Sequence, residues 1–376
     1  ILANAPDLVI SFDGAWLARL DQEQLRLYPL DRTTSADPLP APATSATLPP
    51  WAMAAQIGFL SPELLLLLWP YQEGGAALPG TTAVPPGSAK AGLCASLLSV
   101  PDLRALGSTV LVAGATRILG IGPAGAVVAP QAAGADVIGW RGAQLTVEGS
   151  LFRGDVLAAV PAPERRWLIE QRAGYEVWDP GVRRTVARVT LSTRQPPSAL
   201  GYVQDGRMMW SVCGSAPSFV SLFRTSDGRP LYESEQPGRC LRAEAGLRRL
   251  VLLMDTNEGH SLLDLDVATY ELRHLPLALP RVLSYAVRPA GALAEVLAVL
   301  DDPQAPGADM AALPVVRVPL AALPGLREPE VPRPGTAPRS VLPPRSRTAA
   351  ARPSASGLVV PERGRAPGAA PAEAAA

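Results

Sequence analysis

The sequence predicts an all-β fold made of a repeated strand–turn–strand unit, and three observations support this prediction. The stretch Tyr175–Val189 places β-forming residues on both sides of a turn cluster, Asp179-Pro180-Gly181. Similar units recur at Phe219–Tyr232 and at Leu262–Leu272. Proline and glycine number 41 and 33 among the 376 residues, which is enough for many turns. A β unit that returns in this way is typical of a β-propeller.

The first repeat is visible within the first thirty residues. Leu8–Phe12 and Trp16–Leu20 flank Asp13-Gly14, a pair that favours tight hairpin turns because both residues tolerate positive φ. Leu25–Leu30 follows as a third strand. Residues 33–50 are mostly Thr, Ser, Ala and Pro without periodicity, so they predict a long loop.

A second hairpin is predicted from Gln56–Leu60 and Leu64–Leu68. The aliphatic run Leu64–Leu68 is far shorter than the roughly 20 residues that cross a bilayer, so it predicts a strand buried on both faces and no membrane insertion. Residues 74–92 predict a second loop-like insertion. Arg248–Met254 and Glu295–Leu300 lie near good helix formers, but their flanking turn residues favour strands.

The number of blades follows from the spacing of the predicted third strands. A four-stranded blade takes roughly 40–50 residues, and the candidates are compatible with seven blades. The interval of 30 residues between two of the candidates is short for four strands, so a six-bladed arrangement that divides residues 108–190 differently stays open. The candidate third strands lie near Leu27, Leu98, Val147, Val177, Leu222, Leu263 and Val316.

The chain consists of two regions that differ in composition. Residues 1–322 are predicted to form a single propeller of six or seven four-stranded blades, with seven preferred, and residues 323–376 a disordered Pro/Ala/Arg-rich tail. Residues 324–371 contain 11 prolines and no aromatic residue, so they cannot bury enough apolar surface to offset chain entropy. The apolar cluster Leu358–Val360 within this tail is the kind of segment that docks as a strand on a partner's sheet edge.

Charge and cysteine content limit the classes of partner and compartment. The 34 basic and 34 acidic residues cancel, so overall charge gives no reason to expect a nucleic acid or an anionic membrane as partner. The chain has three cysteines, Cys94, Cys213 and Cys240. Their odd number and wide spacing predict free thiols in a reducing compartment. A Cys213–Cys240 bridge stays open if neighbouring blades pair their strands. With no basic and apolar leader at the start of the chain, we expect a cytoplasmic protein.

No catalytic, cofactor-binding or metal-ligating residue can be named from the sequence, and no cofactor is expected. The two histidines, His260 and His274, lack a cluster of carboxylates or thiols around them. Gly120–Gly125 has the glycine spacing of a dinucleotide fingerprint, but Pro123 and the lack of a following helix argue against it. Asp301–Asp309 lacks the ligand spacing of a calcium loop. The sequence therefore leaves enzyme activity open and favours a protein without it.

A family resemblance adds to this interpretation. Tyr175–Asp179, followed by a turn and Arg184-Thr185-Val186, resembles the third-strand signature of WD40-type propellers. The Gly-His dipeptide of that family is missing from most units and occurs here as Gly259-His260, directly before a third strand. A quinoprotein-like or divergent bacterial propeller fits as well. The chain also resembles the propeller partner of MoxR ATPase and von Willebrand A systems, which implies an AAA+ ATPase or von Willebrand A protein as partner.

Three functional hypotheses follow from the sequence. The first is a non-enzymatic scaffold, monomeric alone, that binds protein partners through its loop faces, with the two insertions as the adaptable surface. The others are an enzyme of the hydrolase, lyase or quinoprotein type and a ligand-binding or sugar-binding propeller, each with its site at the central channel. Three or more acids, histidines or arginines that converge on the channel would favour these alternatives.

Overall fold

The protein is all-β, as predicted, with 27 strands in seven antiparallel sheets among the described residues. Pro163–Arg165 forms a short 3-10 turn between two of the strands. The computed structural model describes residues 6–21, 24–30, 39–48, 54–72, 91–130, 134–148, 155–172, 174–191, 197–203, 206–246, 248–275, 281–288, 295–301 and 313–320.

Each blade is one sheet, and its strands pair in chain order. The first blade contains β1 (Asp7–Ile10), β2 (Trp16–Leu20), β3 (Gln24–Pro29) and β4 (Thr44–Thr47). The second contains β5 (Gln56–Ser61), β6 (Leu64–Gln72), β7 (Ala91–Ser99) and β8 (Ala105–Ala113). The third contains β9 (Ala115–Gly122), β10 (Gly125–Pro130), β11 (Asp136–Arg141) and β12 (Gln144–Glu148). The fourth contains β13 (Val156–Ala162), β14 (Arg166–Gln171), β15 (Gly174–Asp179) and β16 (Arg184–Val189).

The remaining three blades follow the same order. The fifth contains β17 (Pro197–Val203), β18 (Met208–Cys213), β19 (Ser218–Arg224) and β20 (Pro230–Gln236). The sixth contains β21 (Arg239–Ala245), β22 (Arg249–Thr256), β23 (Gly259–Asp266) and β24 (Glu271–Leu275). The seventh contains three described strands, β25 (Arg281–Val287), β26 (Glu295–Asp301) and β27 (Val315–Pro319).

The seven blades form a closed ring. The first strand of each blade contacts the first strand of the next, from β1 through β5, β9, β13, β17 and β21 to β25, and β25 contacts β1. The first strands therefore surround a central channel, which is the arrangement of a propeller. This result decides between the two predicted blade counts in favour of seven.

The hydrophobic core lies between the blades. Leu65, Leu66, Leu67 and Leu68 have no exposed surface and divide between two core clusters, one on each face of the second blade. The prediction that Leu64–Leu68 is a strand buried on both faces is confirmed. Alternate residues of a strand point to opposite faces, so a strand between two neighbouring blades is apolar throughout.

Three predictions of where strands and loops lie were wrong. Val147 lies on β12, a fourth strand, and the third strand of that blade is β11. Measured from Ile138 on β11, the interval to Val177 is 39 residues, which removes the short spacing. The predicted loop 33–50 contains β4 (Thr44–Thr47), and the predicted insertion 74–92 overlaps the start of β7. Pattern alone missed β4 because Thr-Ser-Ala-Thr has no large apolar residue.

The alternation of side chains along Tyr175–Asp179 predicts that Val177 and Trp178 lie on opposite faces of the strand and that neighbouring blades bury both. The prediction for Trp178 is confirmed, and the one for Val177 is wrong. Trp178 is 2% exposed and faces the third blade together with Trp167, its partner in register on β14. Val177 is half-buried on the opposite face of β15. Its neighbour on the outer strand is Ala187, which is exposed and too small to cover it.

Five first strands share a β-bulge that the sequence did not reveal. The register to the second strand skips one residue near the start of β9, β13, β17, β21 and β25. A bulge bends its strand and redirects the side chains that follow it. The skipped residues are Thr116, Leu157, Ser198, Leu241 and Leu283.

Some predictions lie outside the described residues. The last of these residues is Leu320, so the boundary at residue 322, the tail 323–376 and its apolar cluster are not covered. No helix in the described part of the chain is long and apolar enough to cross a membrane.

Candidate partner-binding face and channel cluster

The loops of the propeller divide between two faces. Each four-stranded antiparallel blade returns the chain to the end at which it began, so the first strands of all blades run in the same direction. The connections from first to second strand and from third to fourth strand therefore share one face, here called face one. The connections from second to third strand and between blades share the opposite face, here called face two.

The strand ends that flank the two predicted insertions lie on opposite faces. One insertion joins β3 to β4, a connection from third to fourth strand on face one, and the other joins β6 to β7 on face two. The first of these connections follows a third strand and the second follows a second strand, so the two start at opposite ends of their sheets. Residues 33–38, 49–50 and 74–90 lie outside the described residues, so the expectation that the insertions form the adaptable surface stays a prediction.

Three large apolar side chains on face one are exposed. Phe12, in the turn between β1 and β2, is 49% exposed, and Val182, in the turn between β15 and β16, is 55% exposed. Tyr270, in the turn between β23 and β24, is 38% exposed. All three lie in short turns, so the strands on each side fix the position of their backbone.

The turn that carries Tyr270 is held by local hydrogen bonds. The Tyr270 N–H donates to the Asp266 carbonyl at 2.7 Å, and an Asp266 carboxylate oxygen accepts from the Ala268 N–H at 2.9 Å. Tyr270 adopts a left-handed conformation, φ 61°, which is unfavourable for a residue with a bulky side chain. Its ring stacks on Tyr232 with centroids 5.5 Å apart. The turn thus presents an aromatic side chain to solvent at a conformational cost.

A second aromatic contact on face one joins two neighbouring blades. The Arg165 guanidinium lies 4.5 Å from the centroid of the Trp140 ring. The Trp140 Nε1–H donates to the Pro123 carbonyl at 3.0 Å, and Arg165 Nε donates to the same oxygen at 3.2 Å. An arginine on an aromatic face is attracted by the ring quadrupole. Trp140 is therefore fixed at the junction of the third and fourth blades.

A cluster of polar residues lies on the first strands that surround the channel, and we call it the channel cluster. It contains Asp7 on β1, Arg242 and Glu244 on β21, and Ser284 and Tyr285 on β25. Arg242 donates to Glu244 Oε1 and, at 3.3 Å, to Ser284 Oγ. Glu244 Oε2 accepts from the Val287 N–H at 3.0 Å. These bonds join the sixth blade to the seventh.

The rest of the channel cluster also connects different blades. The Tyr285 hydroxyl donates to the Val251 carbonyl at 2.9 Å and lies 3.2 Å from the Arg242 carbonyl. The Asp7 carboxylate accepts from the backbone N–H of Ile57, on the second blade. Asp7 also interacts electrostatically with Arg242, two blades away. Asp7 and Glu244 thus satisfy the N–H groups of Ile57 and Val287, which lie on the inner edges of neighbouring blades.

Burial governs the protonation behaviour of the channel cluster. It raises the pKa of Asp7, against the opposing effect of Arg242 and two backbone N–H groups. It also raises the pKa of Glu244, again opposed by Arg242. Burial would lower the pKa of Arg242, but Glu244, Tyr285 and Asp7 outweigh it, so the pKa of Arg242 rises and the guanidinium stays charged. The cluster thus holds one permanent cation between two carboxyl groups.

Two acids and one arginine converge on the channel, which is the arrangement that would favour a ligand or enzyme site. Solvent reaches about 35% of the Arg242 side chain, although the residue lies inside the ring. A guanidinium has five N–H donors, so those not bound to Glu244 and Ser284 are available to a carboxylate or hydroxyl ligand. The acceptors of Glu244, in contrast, are engaged within the protein.

The histidines lie outside the channel cluster, and Cys240 contacts it only through its Sγ, which lies 3.4 Å from the Arg242 carbonyl oxygen. His260 lies on β23, and its Nδ1 is 3.0 Å from the Val282 nitrogen. His274 lies on β24, the outer strand of the same blade. Cys94, Cys213 and Cys240 are free thiols, so the proposed Cys213–Cys240 bridge is absent. Across the described ranges, no group of three or more His, Cys, Asp and Glu side chains could hold a metal ion.

Two other sequence candidates have structural explanations. Gly120 and Gly122 lie on β9, and Gly125 begins β10, so the fingerprint-like glycines belong to a hairpin. A Cβ at Gly120 would lie 2.0 Å from the Ala159 carbonyl oxygen, so close packing between blades requires glycine there. Asp301 pairs with Arg281 at 3.0 Å, and residues 302–309 lie outside the described residues.

Comparisons with known proteins give likeness in fold only. No protein-family model matches the chain, and no curated protein matches it. Among solved structures, the dihydro-heme d1 dehydrogenase NirN in complex with DHE is 15% identical, with a TM-score of 0.45 over 84% of this chain and 66% of that chain. Apo AztD from Citrobacter koseri is 9% identical, with a TM-score of 0.43 over 71% of this chain and 84% of that chain. At these values no functional conclusion rests on either protein.

Proposed function

We propose that the protein is a non-enzymatic β-propeller that binds a protein partner through face one. The observation that carries this proposal is the presence of Phe12, Val182 and Tyr270, each more than a third exposed, in turns of that face. Aromatic and large apolar side chains on rigid turns are the usual anchors of a protein interface, because binding them costs little conformational entropy.

The distribution of the anchors indicates the size of the partner. Phe12, Val182 and Tyr270 belong to the first, fourth and sixth blades, so a partner that contacts all three spans the ring. The sequence resemblance suggests a MoxR-type AAA+ ATPase or a von Willebrand A protein for this role, in the cytoplasm.

Crosslinking in the native source tests the proposal. The triple variant F12S/V182S/Y270S removes the anchors, and the variant V147S removes a similarly exposed apolar residue, 39% exposed, on the outer strand β12. We expect one partner to crosslink to the wild type and to V147S, and its yield to fall at least tenfold in the triple variant. An equal loss in V147S, or no loss in the triple variant, would contradict the proposal.

A ligand site at the channel is the second candidate function, and the solvent-accessible Arg242 is the observation that favours it. A ligand with a carboxylate or several hydroxyl groups could use the free donors of Arg242. Isothermal titration with a panel of carboxylic acids and sugars tests this candidate, with R242Q as the control variant. Binding to the wild type that R242Q loses would support it, and a panel without any binding would count against it.

A further inference from the structure

The residues that follow the bulges of the first strands lie at one level of the channel wall. A bulge re-aims the side chains beside it, and five first strands share one near their start. Of the five residues that follow, three are small and leave space at this level, and two are arginines. They are Arg117 on β9, Ala158 on β13, Ala199 on β17, Arg242 on β21 and Ser284 on β25.

Arg117 occupies in the third blade the position that Arg242 has in the sixth, but its surroundings differ. Two residues after Arg242 comes Glu244, whose carboxylate accepts from the guanidinium. Two residues after Arg117 comes Leu119, which has no acceptor in its side chain. Arg117 is exposed, and its side chain makes no hydrogen bond or ion pair with any residue in the described part of the chain. Its N–H donors are therefore available to an external anion.

The Arg117 side chain lies on the side of β9 that faces the fourth blade. Arg117 is directly opposite Ala129 on β10, and Ala129 belongs to the core between the third and fourth blades. Residues directly opposite each other on paired strands share a face. On this face β9 and β13 pack closely, because a Cβ at Gly120 would lie 2.0 Å from the Ala159 carbonyl oxygen. Both strands run in the same direction, so the residues that precede Ala159 lie beside Arg117.

One of those preceding residues is Leu157, an apolar residue that is 47% exposed. It is the bulge residue of β13. A first strand is covered by the neighbouring blades and by its own second strand, so its exposed side chains open to the channel. Arg117 and Leu157 thus place a cation and an apolar side chain on one wall of the channel. Arg242 lies three blades further round the ring of seven, on the opposite wall.

We propose that Arg117 and Leu157 bind an amphipathic carboxylate in the channel, with the carboxylate on the Arg117 guanidinium and the apolar part of the ligand against Leu157. A guanidinium binds a carboxylate through two parallel N–H bonds. Removal of the apolar part from water adds to the affinity. This inference rests on the second candidate function, a ligand site in the channel, and adds to it a ligand class and a wall that lies opposite Arg242.

Isothermal titration of the full chain with octanoate tests the proposal. Octanoate joins a carboxylate to an apolar chain, whereas acetate lacks the apolar chain and 1-octanol lacks the carboxylate. We expect octanoate to bind at least about tenfold more tightly than either compound, because it alone uses both residues. Equal affinities for octanoate and 1-octanol would mean that no cation takes part, and they would overturn the proposal. Absence of octanoate binding would overturn it as well.

Variants at the two residues assign the site. R117Q should weaken octanoate binding at least about tenfold, and L157S at least about threefold. Both residues are exposed, so both variants should keep the melting temperature of the wild type. The control is R104Q, which removes an exposed arginine from the turn between β7 and β8, on face one and outside the channel. An equal loss in R104Q would mean that overall charge decides, and it would overturn the proposal. A loss in R242Q with full binding in R117Q would overturn this inference and leave the second candidate function standing.

Chemical modification of arginine provides the second measurement. Phenylglyoxal should modify Arg117 in the full chain because the residue is exposed, and saturating octanoate should slow this reaction at least about fivefold because its carboxylate occupies the guanidinium. Mass spectrometry of chymotryptic peptides follows Arg117 together with Arg104, whose reaction octanoate should leave unchanged. An unreactive Arg117 in the protein alone would mean that the chain itself covers the site, and it would overturn the proposal. Equal slowing at both arginines would overturn it as well.

Discussion

Arg288 Nη2 donates a 2.8 Å hydrogen bond to the carbonyl oxygen of Leu30, which joins the seventh blade to the first. Arg288 Nε donates to the Gly14 carbonyl at 2.9 Å, and Nη1 donates to Glu295 at the same distance. The side chain is 6% exposed. Arg19 adds a bond in the other direction, from Nη1 to the Leu313 carbonyl at 2.6 Å. The ring is thus closed by buried arginines that bind backbone carbonyls.

The first prediction concerns this closure. R288M should lower the free energy of unfolding by about 3–5 kcal/mol, because it leaves the Glu295 carboxylate and two carbonyls buried with fewer partners. Urea unfolding measures the change. The control is R172M, which removes an arginine that is 81% exposed and pairs with Asp155 at the surface. It should change stability by less than about 0.5 kcal/mol. Equal effects of both variants would contradict the closing role of Arg288.

The second prediction compares two adjacent residues of β15. W178A should cost about 3–5 kcal/mol, because Trp178 is 2% exposed and packs between the third and fourth blades. V177A should cost less than about 2 kcal/mol, because Val177 is half-buried beside the small Ala187. Thermal and urea unfolding measure both values. A larger loss for V177A than for W178A would contradict the packing described for this strand.

These two residues show how far sequence reasoning extends. Alternation along Tyr175–Asp179 correctly placed Val177 and Trp178 on opposite faces. It could not show that β16 covers one face poorly, because that depends on a bulge in the pairing of β15 with β16. Local patterns encode strands and turns, whereas the burial of a side chain depends on the neighbouring strand and on the neighbouring blade.

The channel cluster was missed for a related reason. Asp7 and Arg242 are far apart in the chain, and neither belongs to a motif. Their proximity follows only from the closed ring, which brings the first strands together. One local signal was present, the spacing of Arg242 and Glu244, which puts both side chains on one face of a strand. Only the seven-bladed ring assigns that face to the channel.

The third prediction concerns the pH dependence of stability. Burial raises the folded-state pKa of Glu244 above its unfolded value near 4.5. The folded state then holds the proton more tightly, so the stability contributed by this group is complete at low pH and is lost as pH rises through the folded pKa. Relative to E244Q, the wild type should therefore lose stability between pH 4.5 and pH 8, by about 1.4 kcal/mol for each pKa unit of the shift.

The control for this prediction is E271Q. Glu271 is exposed, and its hydrogen bond to Arg273 lowers its pKa, so its contribution is present at neutral pH and lost as pH falls. The difference between the wild type and E271Q should therefore change in the opposite direction. Urea unfolding at pH 3, 4.5, 6 and 8 measures both differences, and the change that belongs to Glu271 falls at the low end of this range. If the difference between the wild type and E244Q were constant over this range, Glu244 would not have a raised pKa.

The fourth prediction concerns the three thiols. Burial raises the pKa of Cys94 to about 12 and that of Cys240 to about 11, so almost no thiolate exists at pH 8 in the folded protein. Cys213 is buried as well. The native protein should resist iodoacetamide at pH 8, and all three residues should react in urea. Cys240 should react first as denaturant is added, because it is only partly buried. Mass spectrometry of tryptic peptides identifies each site, and labelling of Cys94 before the unfolding transition would contradict its burial between the first and second blades.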